Sequence, residues 1–505
     1  MAKTGAFEAL REFSASREQF LFSEFAASFN PVIRRSDLLI SLLPELSQLH
    51  LGWRKENGDY IISPLPRATT LSPPVEILQR IETHLQRSVV SDNLQRLIED
   101  YIGQKTGKEW NDPVILQRIR AAIMQQKGQY WKEGRPRKIG YRKGYAVFAY
   151  LAYHAPVYLT QFRHLLVMLT RDLLLPTQMR ILDVGTGPGV VPLAITDFAR
   201  DLPSFRAEIF ALERSDQFLD AYRYLVQRYS EGMKSLTLHP PLEADLRDVG
   251  SLLLPTSLDL IVMQNVINEQ VSESKEERAA IISTFSRLLA PGGCLLIAEP
   301  ADLANSTQLR ATVNAALGPE LRLHSPCTCI WGGRCHSDTC WSFIEQSPVQ
   351  PTRIMRALSR RDEAFRFQNT DIKYSYAVLV KDRRRRHPSN LPTRAPFTSL
   401  SALPKYTGKR VNVIGSVMSG DLGDRRTHVF LFCDGTPSRP AYAILPHHAI
   451  TPDNRSLLSA PYASILELRQ VLVRLNRKHQ TFNLLLSRTS QARPRVPWEE
   501  NYSSQ

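Results

Sequence analysis

The sequence predicts an α/β fold with a parallel sheet at its centre, preceded by a helical region and followed by a small β-barrel. Two observations support this prediction. Short apolar runs alternate with helix-compatible segments from Met179 to about Ala301, a pattern typical of repeated strand–helix units. The first of these runs ends in a turn with three glycines, Gly185, Gly187 and Gly189, which leads into a helix-compatible segment.

Changes in composition divide the chain into segments. Residues 1–140 are predicted to be mainly helical, because the apolar residues between Val75 and Ile102 recur near helical spacing. Residues 141–381 contain the alternating strands and helices of the α/β core. Residues 382–405 are rich in Pro, Ser and Arg, which predicts a basic linker.

Residues 406–505 are predicted to form a small β-barrel with a helical tail. Strand-like runs at Arg410–Val417, His428–Phe432 and Ala441–Leu445 are separated by turns that contain Gly and Asp. Short strands of this kind favour a small barrel similar to those that bind oligonucleotides. The helical tail is expected at roughly Ala460–Leu475.

The net charge of +15 is concentrated in two segments of the chain. Lys105–Lys143 carries eleven basic side chains against three acidic ones, and Arg353–Arg386 carries eleven against four. Concentrated positive charge favours a polyphosphate partner, and solvated basic loops are the alternative explanation.

The sequence gives no sign of a membrane segment or a secretory signal. No apolar run reaches the ~18 residues needed to cross a bilayer. The N-terminal stretch lacks the apolar core of a signal peptide. It also carries Glu8, Glu12 and Glu18, which are unusual in a mitochondrial presequence. We therefore predict a cytoplasmic protein without membrane association, and a mitochondrial location is less favoured.

The glycine-rich turn is the most specific motif in the sequence. An apolar strand ends in Asp183-x-Gly185-x-Gly187-x-Gly189, and the glycines permit a tight turn and a close approach of the backbone to a ligand. A dinucleotide-binding fingerprint would need glycine where Val190 stands. The motif instead resembles motif I of class I S-adenosylmethionine-dependent methyltransferases, although a glycine turn in an unrelated α/β domain is the alternative.

Three further residues match cofactor-binding positions of those enzymes. Glu213 follows the next predicted strand, where the resemblance implies a carboxylate that accepts hydrogen bonds from both ribose hydroxyls. Asp245 lies in a loop that resembles the one contacting the adenine amino group, and Gln264 follows the fourth predicted strand.

The acceptor side of the predicted site is less clearly defined. Asn268 and Glu269 follow the same strand and are candidates for orienting a substrate, but a helix cap and a surface acid explain them equally well. The Asn/Asp-Pro-Pro-aromatic loop of many base-amino methyltransferases is replaced here by Gln-Asn-Val-Ile-Asn-Glu. These residues therefore leave open whether catalysis takes place.

Four of the six cysteines, Cys327, Cys329, Cys335 and Cys340, lie within fourteen residues. A reducing compartment disfavours disulfides. Structural zinc usually uses regularly spaced Cys pairs, which are missing here, although nearby histidines could complete a mixed site. An iron–sulfur cluster needs four thiolates and tolerates irregular spacing. Zinc and an iron–sulfur cluster both stay open on these spacings.

Two cysteines lie outside this segment. Cys433 ends a predicted strand of the barrel, just before a turn, where it could present one more ligand. Cys294 lies inside an apolar predicted strand and is expected to be a buried core residue.

The order of motifs resembles the Rsm-type family of methyltransferase-like ribosomal small-subunit assembly proteins. The resemblance covers roughly residues 140–450. It begins with the aromatic helix of Tyr145–Tyr158, continues through the glycine motif and the segments VINEQ and LIAEPAD, and ends with the cysteine segment and the strand at Lys373–Asp382. It implies a partner in the ribosomal small subunit and its rRNA.

The same resemblance implies a 4Fe–4S cluster. Its ligands would be Cys329, Cys335, Cys340 and Cys433, with Cys327 as the alternate to Cys329 and zinc as the alternative metal. Two functions are then expected to compete: an rRNA methyltransferase and a non-catalytic assembly factor that binds rRNA. A zinc-containing protein methyltransferase is a weaker third possibility, and the oligomeric state stays open.

Overall fold

A computed structural model defines the fold. It describes residues 2–14, 17, 19–29, 34–42, 46, 51–56, 58–64, 69–130, 144–252, 254–269, 274–332, 340–359, 364–381, 386, 396–436 and 438–495.

The helices of the described residues are α1 (Ala2–Ser14), α2 (Phe22–Phe29), α3 (Arg35–Leu42), α4 (Val75–Gln86), α5 (Asp92–Thr106), α6 (Pro113–Tyr130), α7 (Ala146–Ala149), α8 (Ala155–Arg171), α9 (Val190–Asp201), α10 (Asp216–Tyr229), α11 (Lys275–Ser286), α12 (Leu303–Ala316), α13 (Arg353–Leu358) and α14 (Ala364–Phe367). A π-helical turn, Tyr150–His154, connects α7 to α8.

The strands are β1 (Phe20–Leu21), β2 (Leu51–Glu56), β3 (Asp59–Pro64), β4 (Gln178–Val184), β5 (Arg206–Glu213), β6 (Leu236–Leu238), β7 (Leu242–Glu243), β8 (Leu258–Gln264), β9 (Leu289–Pro300), β10 (Arg322–Ser325), β11 (Ile344–Gln346), β12 (Ile372–Val380), β13 (Arg410–Val417), β14 (Thr427–Cys433), β15 (Ala441–Pro446), β16 (Ile465–Asn476), β17 (Thr481–Leu485) and β18 (Gln491–Pro494).

The chain divides into two units, and neither is continuous in sequence. The first unit comprises Met1–Ile297, Gln346–Ile372 and Val380–Asp382. The second unit comprises Ala298–Glu345, Lys373–Leu379 and Arg383–Gln505.

A doubly wound sheet forms the core of the first unit, which confirms the α/β prediction. Its strand order is β9-β8-β4-β5-β6, and β4 runs parallel to both β5 and β8. The central strand is buried on both faces, because Ile181 and Leu182 point to opposite sides and are both inaccessible to solvent. Cys294 lies in β9 and is fully buried, so its prediction as a core residue is confirmed.

The N-terminal region contains strands that the sequence did not predict. Strands β1, β3 and β2 form an antiparallel sheet in that order, and Phe20 pairs with Ile62. Buried Tyr60 and Ile62 alternate with more exposed neighbours in β3, as expected for a half-buried strand. The mainly helical prediction for residues 1–140 therefore holds for α1 to α6 and misses this sheet.

Capping residues explain why the predicted helical stretch Val75–Ile102 forms two helices. The Ser91 side chain accepts a hydrogen bond from the backbone N–H of Leu94, which begins α5. Gly107 ends α5 in the left-handed conformation. The residues between α4 and Ser91 form the break.

A closed five-stranded barrel forms the C-terminal part of the second unit. The strand order is β13-β14-β15-β17-β16, and β16 pairs with β13 to close the barrel, while β18 adds to β16. The three strands predicted at Arg410–Val417, His428–Phe432 and Ala441–Leu445 are confirmed as β13, β14 and β15.

The predicted helical tail at Ala460–Leu475 is wrong, because most of this segment forms strand β16. Leu466 and Leu468 alternate toward the core, and Val471 and Val473 continue the alternation after a shift of one residue. The shift lies at Gln470, which adopts a positive φ and whose backbone N–H donates a hydrogen bond to Asn412 Oδ1. This irregularity breaks the period of two that would have indicated a strand.

None of the helices in the part of the chain that the structure describes is both long enough and apolar enough to cross a bilayer.

Candidate functional site

The glycine turn lies at the carboxyl end of β4, where ligands bind in open α/β sheets. Gly187 and Gly189 both adopt positive φ values, 55° and 93°. A Cβ atom at Gly189 would lie 2.3 Å from Val226 Cγ2, so Gly189 is needed for packing at the start of α9. A Cβ at Gly187 would meet no heavy atom within 4 Å, and Gly187 lines a cleft. Gly187 is therefore the glycine that leaves space for a ligand.

The Glu213 carboxylate connects the loops that follow β4 and β5. Its Oε2 accepts a hydrogen bond from the Gly187 N–H at 2.9 Å, and its Oε1 accepts from the N–H groups of Arg214 and Ser215 at 2.9 and 2.8 Å. Burial raises the pKa of this carboxyl, and the three backbone donors oppose that rise. Glu213 thus lines the cleft as a prepositioned hydrogen-bond acceptor.

A second carboxylate, Asp183, lies beneath the glycine turn. Its side chain is only 1% exposed, and its Oδ2 is a buried atom with no hydrogen-bond partner in the described part of the chain. Burial, together with the charge of the neighbouring Glu213, raises the pKa of Asp183 to about 7. Asp183 therefore favours its neutral form more than an ordinary aspartate does.

The cleft encloses about 660 Å³ of space, a figure that includes its open mouth. Its walls are partly aromatic and partly polar. The lining residues are Tyr150, Tyr158, Gly185, Gly187, Leu212, Glu213, Arg214, Phe218, Ala244, Leu246, Gln264, Asn265, Val266 and Glu269.

The structure brings most of the predicted cofactor residues to this cleft. Gly185, Gly187, Glu213 and Gln264 line it. The Gln264 Nε2 donates a hydrogen bond to the Tyr158 carbonyl at 3.0 Å, which fastens α8 to the end of β8.

Asp245 has a different environment from the one predicted. Arg247 binds its carboxylate through two hydrogen bonds, Nε–Oδ1 at 2.9 Å and Nη2–Oδ2 at 2.7 Å. These bonds lower the pKa of Asp245 to about 2. Its neighbours Ala244 and Leu246 line the cleft.

The two acceptor candidates separate in the structure. Glu269 lines the cleft, and its Oε2 lies 3.6 Å from Arg214 Nη2. Asn268 is only 5% exposed and packs within the turn that follows β8. Glu269 is therefore the better placed of the two to meet a ligand.

Asn265 is a cleft residue that the sequence did not reveal. It adopts a positive φ of 58°, a region that Asn enters more readily than most residues. Its Nδ2 is buried and has no hydrogen-bond partner among the described residues. Strained backbone and an unsatisfied donor are both typical of ligand sites. The sequence feature that could have indicated this residue is an Asn directly after an apolar strand.

The cysteine-bearing loop packs against the barrel within the second unit. Gly435 leaves no room for a side chain, because a Cβ there would lie 2.6 Å from Cys329 Cα. The Gly435 N–H also donates to Cys433 Sγ at 3.4 Å. Trp331 Nε1 donates to Asp434 Oδ2 at 2.9 Å. Cys329 and Cys433 therefore lie in the same region of the second unit.

Cys327 and Cys340 share a buried neighbour, Arg310. This guanidinium is 4% exposed and donates to the Tyr376 carbonyl at 2.7 Å and to Ser342 Oγ at 3.2 Å. Burial lowers the pKa of Arg310, but Cys327, Tyr462, Cys340 and Tyr376, which are anionic when ionised, act against it and the net change is upward. The two cysteines therefore lie within electrostatic range of the same cation.

The described residues do not form a complete metal-binding site. Cys335 and His336 lie outside the described residues. Among the residues that the structure does describe, no group of three or more His, Cys, Asp and Glu side chains could hold a metal ion.

Comparison with known proteins gives one family match and several weak structural likenesses. Residues 401–494 match the family described as the C-terminal domain of a domain of unknown function, DUF8157. No curated protein matches the chain.

Three solved structures illustrate the structural likenesses. Magnesium protoporphyrin IX methyltransferase (ChlM) from Synechocystis PCC 6803, with bound SAH, is 11% identical and covers 54% of this chain and 100% of its own, with a TM-score of 0.28. TrmN from Thermus thermophilus is 15% identical and covers 46% of this chain and 53% of its own, with a TM-score of 0.27. An O-methyltransferase family protein from Burkholderia thailandensis is 14% identical and covers 76% and 93%, with a TM-score of 0.23. Because these scores are low, the interpretation of the cleft rests on its own geometry.

Proposed function

We propose that the first unit binds S-adenosylmethionine in the cleft and is an S-adenosylmethionine-dependent methyltransferase. The observation that carries this proposal is the open space at Gly187 beside the Glu213 carboxylate, at the carboxyl ends of β4 and β5. Two adjacent strand ends that offer a closely approachable backbone and a carboxylate suit a nucleoside-containing cofactor.

The lining residues fit the chemical groups of this cofactor. The Glu213 carboxylate can accept hydrogen bonds from two hydroxyl groups. Ala244 and Leu246 offer an apolar surface for a planar ring. When bound, S-adenosylmethionine supplies a methyl group activated by a positively charged sulfur. The protein's own contribution is to orient the bound molecule and to place Asn265 and Glu269 beside it.

Replacing Glu213 tests the proposal directly. Glu213→Ala should weaken S-adenosylmethionine binding by about 1–3 kcal/mol, because hydrogen bonds to a charged acceptor are lost. Glu213→Gln is the matched control: it keeps the shape and one acceptor oxygen, so a smaller loss is expected. Isothermal titration calorimetry measures both. Wild-type affinity in the Ala variant would remove the cofactor assignment.

We further propose that the methyl acceptor or binding partner is small-subunit rRNA in ribosome assembly. The support is the net positive charge of the chain. Some of the basic side chains of the first unit, however, form ion pairs with acidic side chains of the same unit. Arg353 binds Glu99 and Asp92, and Lys105 binds Asp220. RNA contacts must therefore come from the remaining basic residues.

Non-catalytic binding of rRNA is the second candidate function. The observation that favours it is the ion pair between Glu269 and Arg214. Glu269 is the acid best placed to act on a methyl acceptor, and in this ion pair its carboxylate already interacts with a guanidinium.

Salt dependence tests the RNA proposal. Binding of the full chain to a small-subunit rRNA fragment, measured by fluorescence anisotropy, should weaken steeply with salt. Replacing Arg383, Arg384, Arg385 and Arg386 by Gln should flatten the slope by up to about 3 units, since each contact to single-stranded RNA contributes about 0.7. Transfer of a labelled methyl group to the same RNA separates the two candidate functions. An affinity independent of salt would rule out phosphate contacts.

We also propose that Cys329, Cys335, Cys340 and Cys433 hold a 4Fe–4S cluster, with Cys327 as the alternate to Cys329 and zinc as the alternative metal. The packing of the Cys329 backbone against Gly435, two residues from Cys433, supports this proposal. The ligand set spans the loop and the barrel, so the group would connect two parts of the second unit.

The cysteine proposal predicts a metal content that depends on the barrel. Anaerobically purified protein should contain about four iron and four sulfide per chain. Cys433→Ser should lose them, because a serine oxygen replaces a soft thiolate poorly. Cys294→Ser is the control and should keep them, since Cys294 is buried in β9. One zinc per chain, retained in Cys433→Ser, would establish the alternative metal.

A further inference from the structure

Three neighbouring aromatic side chains form one wall of the cleft. Tyr150 and Tyr158 are half-buried and line the cleft, and the buried Phe218 lines it as well. The rings of Tyr150 and Phe218 meet edge to face at 5.2 Å, and those of Tyr150 and Tyr158 lie 6.1 Å apart. The wall formed by Tyr150, Tyr158 and Phe218 is called the aromatic wall below.

The π-helical turn explains how Tyr150 and Tyr158 reach the same wall. Eight residues of regular α-helix rotate by about 800°, which would leave the two side chains about 80° apart. The π turn closes with a hydrogen bond from the Ala155 N–H to the Tyr150 carbonyl and so takes up one extra residue. The rotation about the helix axis from Tyr150 to Tyr158 then equals that of about seven helical residues, or about 700°. The two side chains therefore point in directions that differ by only about 20°.

The charges around the cleft favour a cation next to this wall. Glu213 and Glu269 line the cleft and supply its acidic groups. Arg214 is a basic residue that also lines the cleft. Its guanidinium lies 3.6 Å from the carboxylate of Glu269 and 3.9 Å from that of Asp245, so these acids partly neutralise its charge.

The histidine between the two tyrosines does not add positive charge. His154 stacks on the Tyr158 ring at 5.7 Å and lies 5.6 Å from the Tyr150 ring. Its side chain is buried, and burial lowers its pKa to about 4. The imidazole is therefore neutral near pH 7 and does not repel a cation bound to the tyrosine faces.

We propose that Tyr150 and Tyr158 form an aromatic subsite for the sulfonium group of S-adenosylmethionine. The faces of aromatic rings attract cations, and the attraction grows when the pair is removed from water. The demethylated product, S-adenosylhomocysteine, has a neutral sulfur and lacks this attraction. The subsite thus makes the protein select the charged cofactor over its product. This inference rests on the cofactor binding proposed above and assigns the residues that discriminate.

The test is the ratio of the two affinities, measured by calorimetry on the full chain with S-adenosylmethionine and S-adenosylhomocysteine. Tyr150→Leu and Tyr158→Leu should each reduce the preference for S-adenosylmethionine about three- to tenfold. Tyr150→Phe and Tyr158→Phe are the matched controls and should keep the wild-type ratio within about twofold, since the ring face is retained. A purely structural role would change both affinities together and leave the ratio constant.

A second set of variants covers the case in which the Leu proteins do not fold. Pentafluorophenylalanine at position 150 or 158 keeps the ring shape but removes the negative face, so the ratio should fall as in the Leu variants. An unchanged ratio in these variants would overturn the aromatic subsite while leaving cofactor binding intact. If the wild-type protein binds neither compound, the proposed function itself fails.

Discussion

The variant Gly187→Asp is expected to lose S-adenosylmethionine binding while its first unit stays folded. The structure leaves room for the new side chain, because a Cβ at Gly187 meets no heavy atom within 4 Å. Asp also enters the positive-φ region more easily than most residues. The added carboxylate, however, would stand in the cleft beside Glu213, where a ligand approaches the backbone. We expect affinity to fall more than about 100-fold, or about 2.7 kcal/mol. Calorimetry and thermal unfolding measure the two properties separately.

Gly189→Ala is the matched control for this prediction. Its Cβ would lie 2.3 Å from Val226 Cγ2 and 3.0 Å from Tyr222 Cδ2, so α10 would have to move. This variant should lower the free energy of unfolding by about 1–3 kcal/mol. Substitution at Gly187 is thus expected to reduce ligand affinity, whereas substitution at Gly189 is expected to reduce the stability of the fold. Wild-type cofactor affinity in a folded Gly187→Asp protein would show that the ligand binds elsewhere.

Relative to Asp183→Asn, the ligand-free wild-type protein is expected to become less stable as the pH rises from about 4 to about 7. The pKa of Asp183 is about 7 in the folded state, above its ordinary value of 3.8. A raised pKa in a folded acid means that its stabilising effect is complete below pH 3.8 and is lost as the pH rises through 7. Three pH units correspond to about 4 kcal/mol at most.

Urea denaturation at several pH values, followed by circular dichroism, measures this effect. The informative quantity is the difference between wild type and Asp183→Asn, because other buried groups also titrate. Asp259 has a pKa raised to about 6, whereas burial lowers those of His154 and His164 to about 4. Equal pH slopes in the two proteins would contradict the prediction.

Local requirements made the glycine turn and the carboxylate that follows β5 predictable from the sequence. The turn after β4 needs residues that adopt positive φ, and Gly187 and Gly189 meet that need within five residues of chain. The carboxylate of Glu213 follows a strand whose apolar character is visible by itself. These features depend on neighbours in sequence, so a single chain reveals them.

The parts of the site that depend on other segments could not be predicted. The ion pair between Arg247 and Asp245 was not predictable, because side-chain rotamers are not visible in a sequence, and contact of Asp245 with a ligand stays a prediction. Tyr150 and Tyr158 reach one wall only because a π turn changes the helical phase. Strand β16 was interpreted as a helix because the irregularity at Gln470 shifts its alternation.

The discontinuous second unit has a consequence for protein synthesis. Its residues Ala298–Glu345 leave the ribosome well before β16, the strand that closes the barrel at Ile465–Asn476. At about 5–20 residues per second, the barrel closes on the order of 10–30 s after the segment with Cys327 and Cys329 has been made. Cys433 also emerges after them. Any group held jointly by the loop and the barrel can therefore be completed only after the barrel strands, which follow the loop in the sequence, have been made.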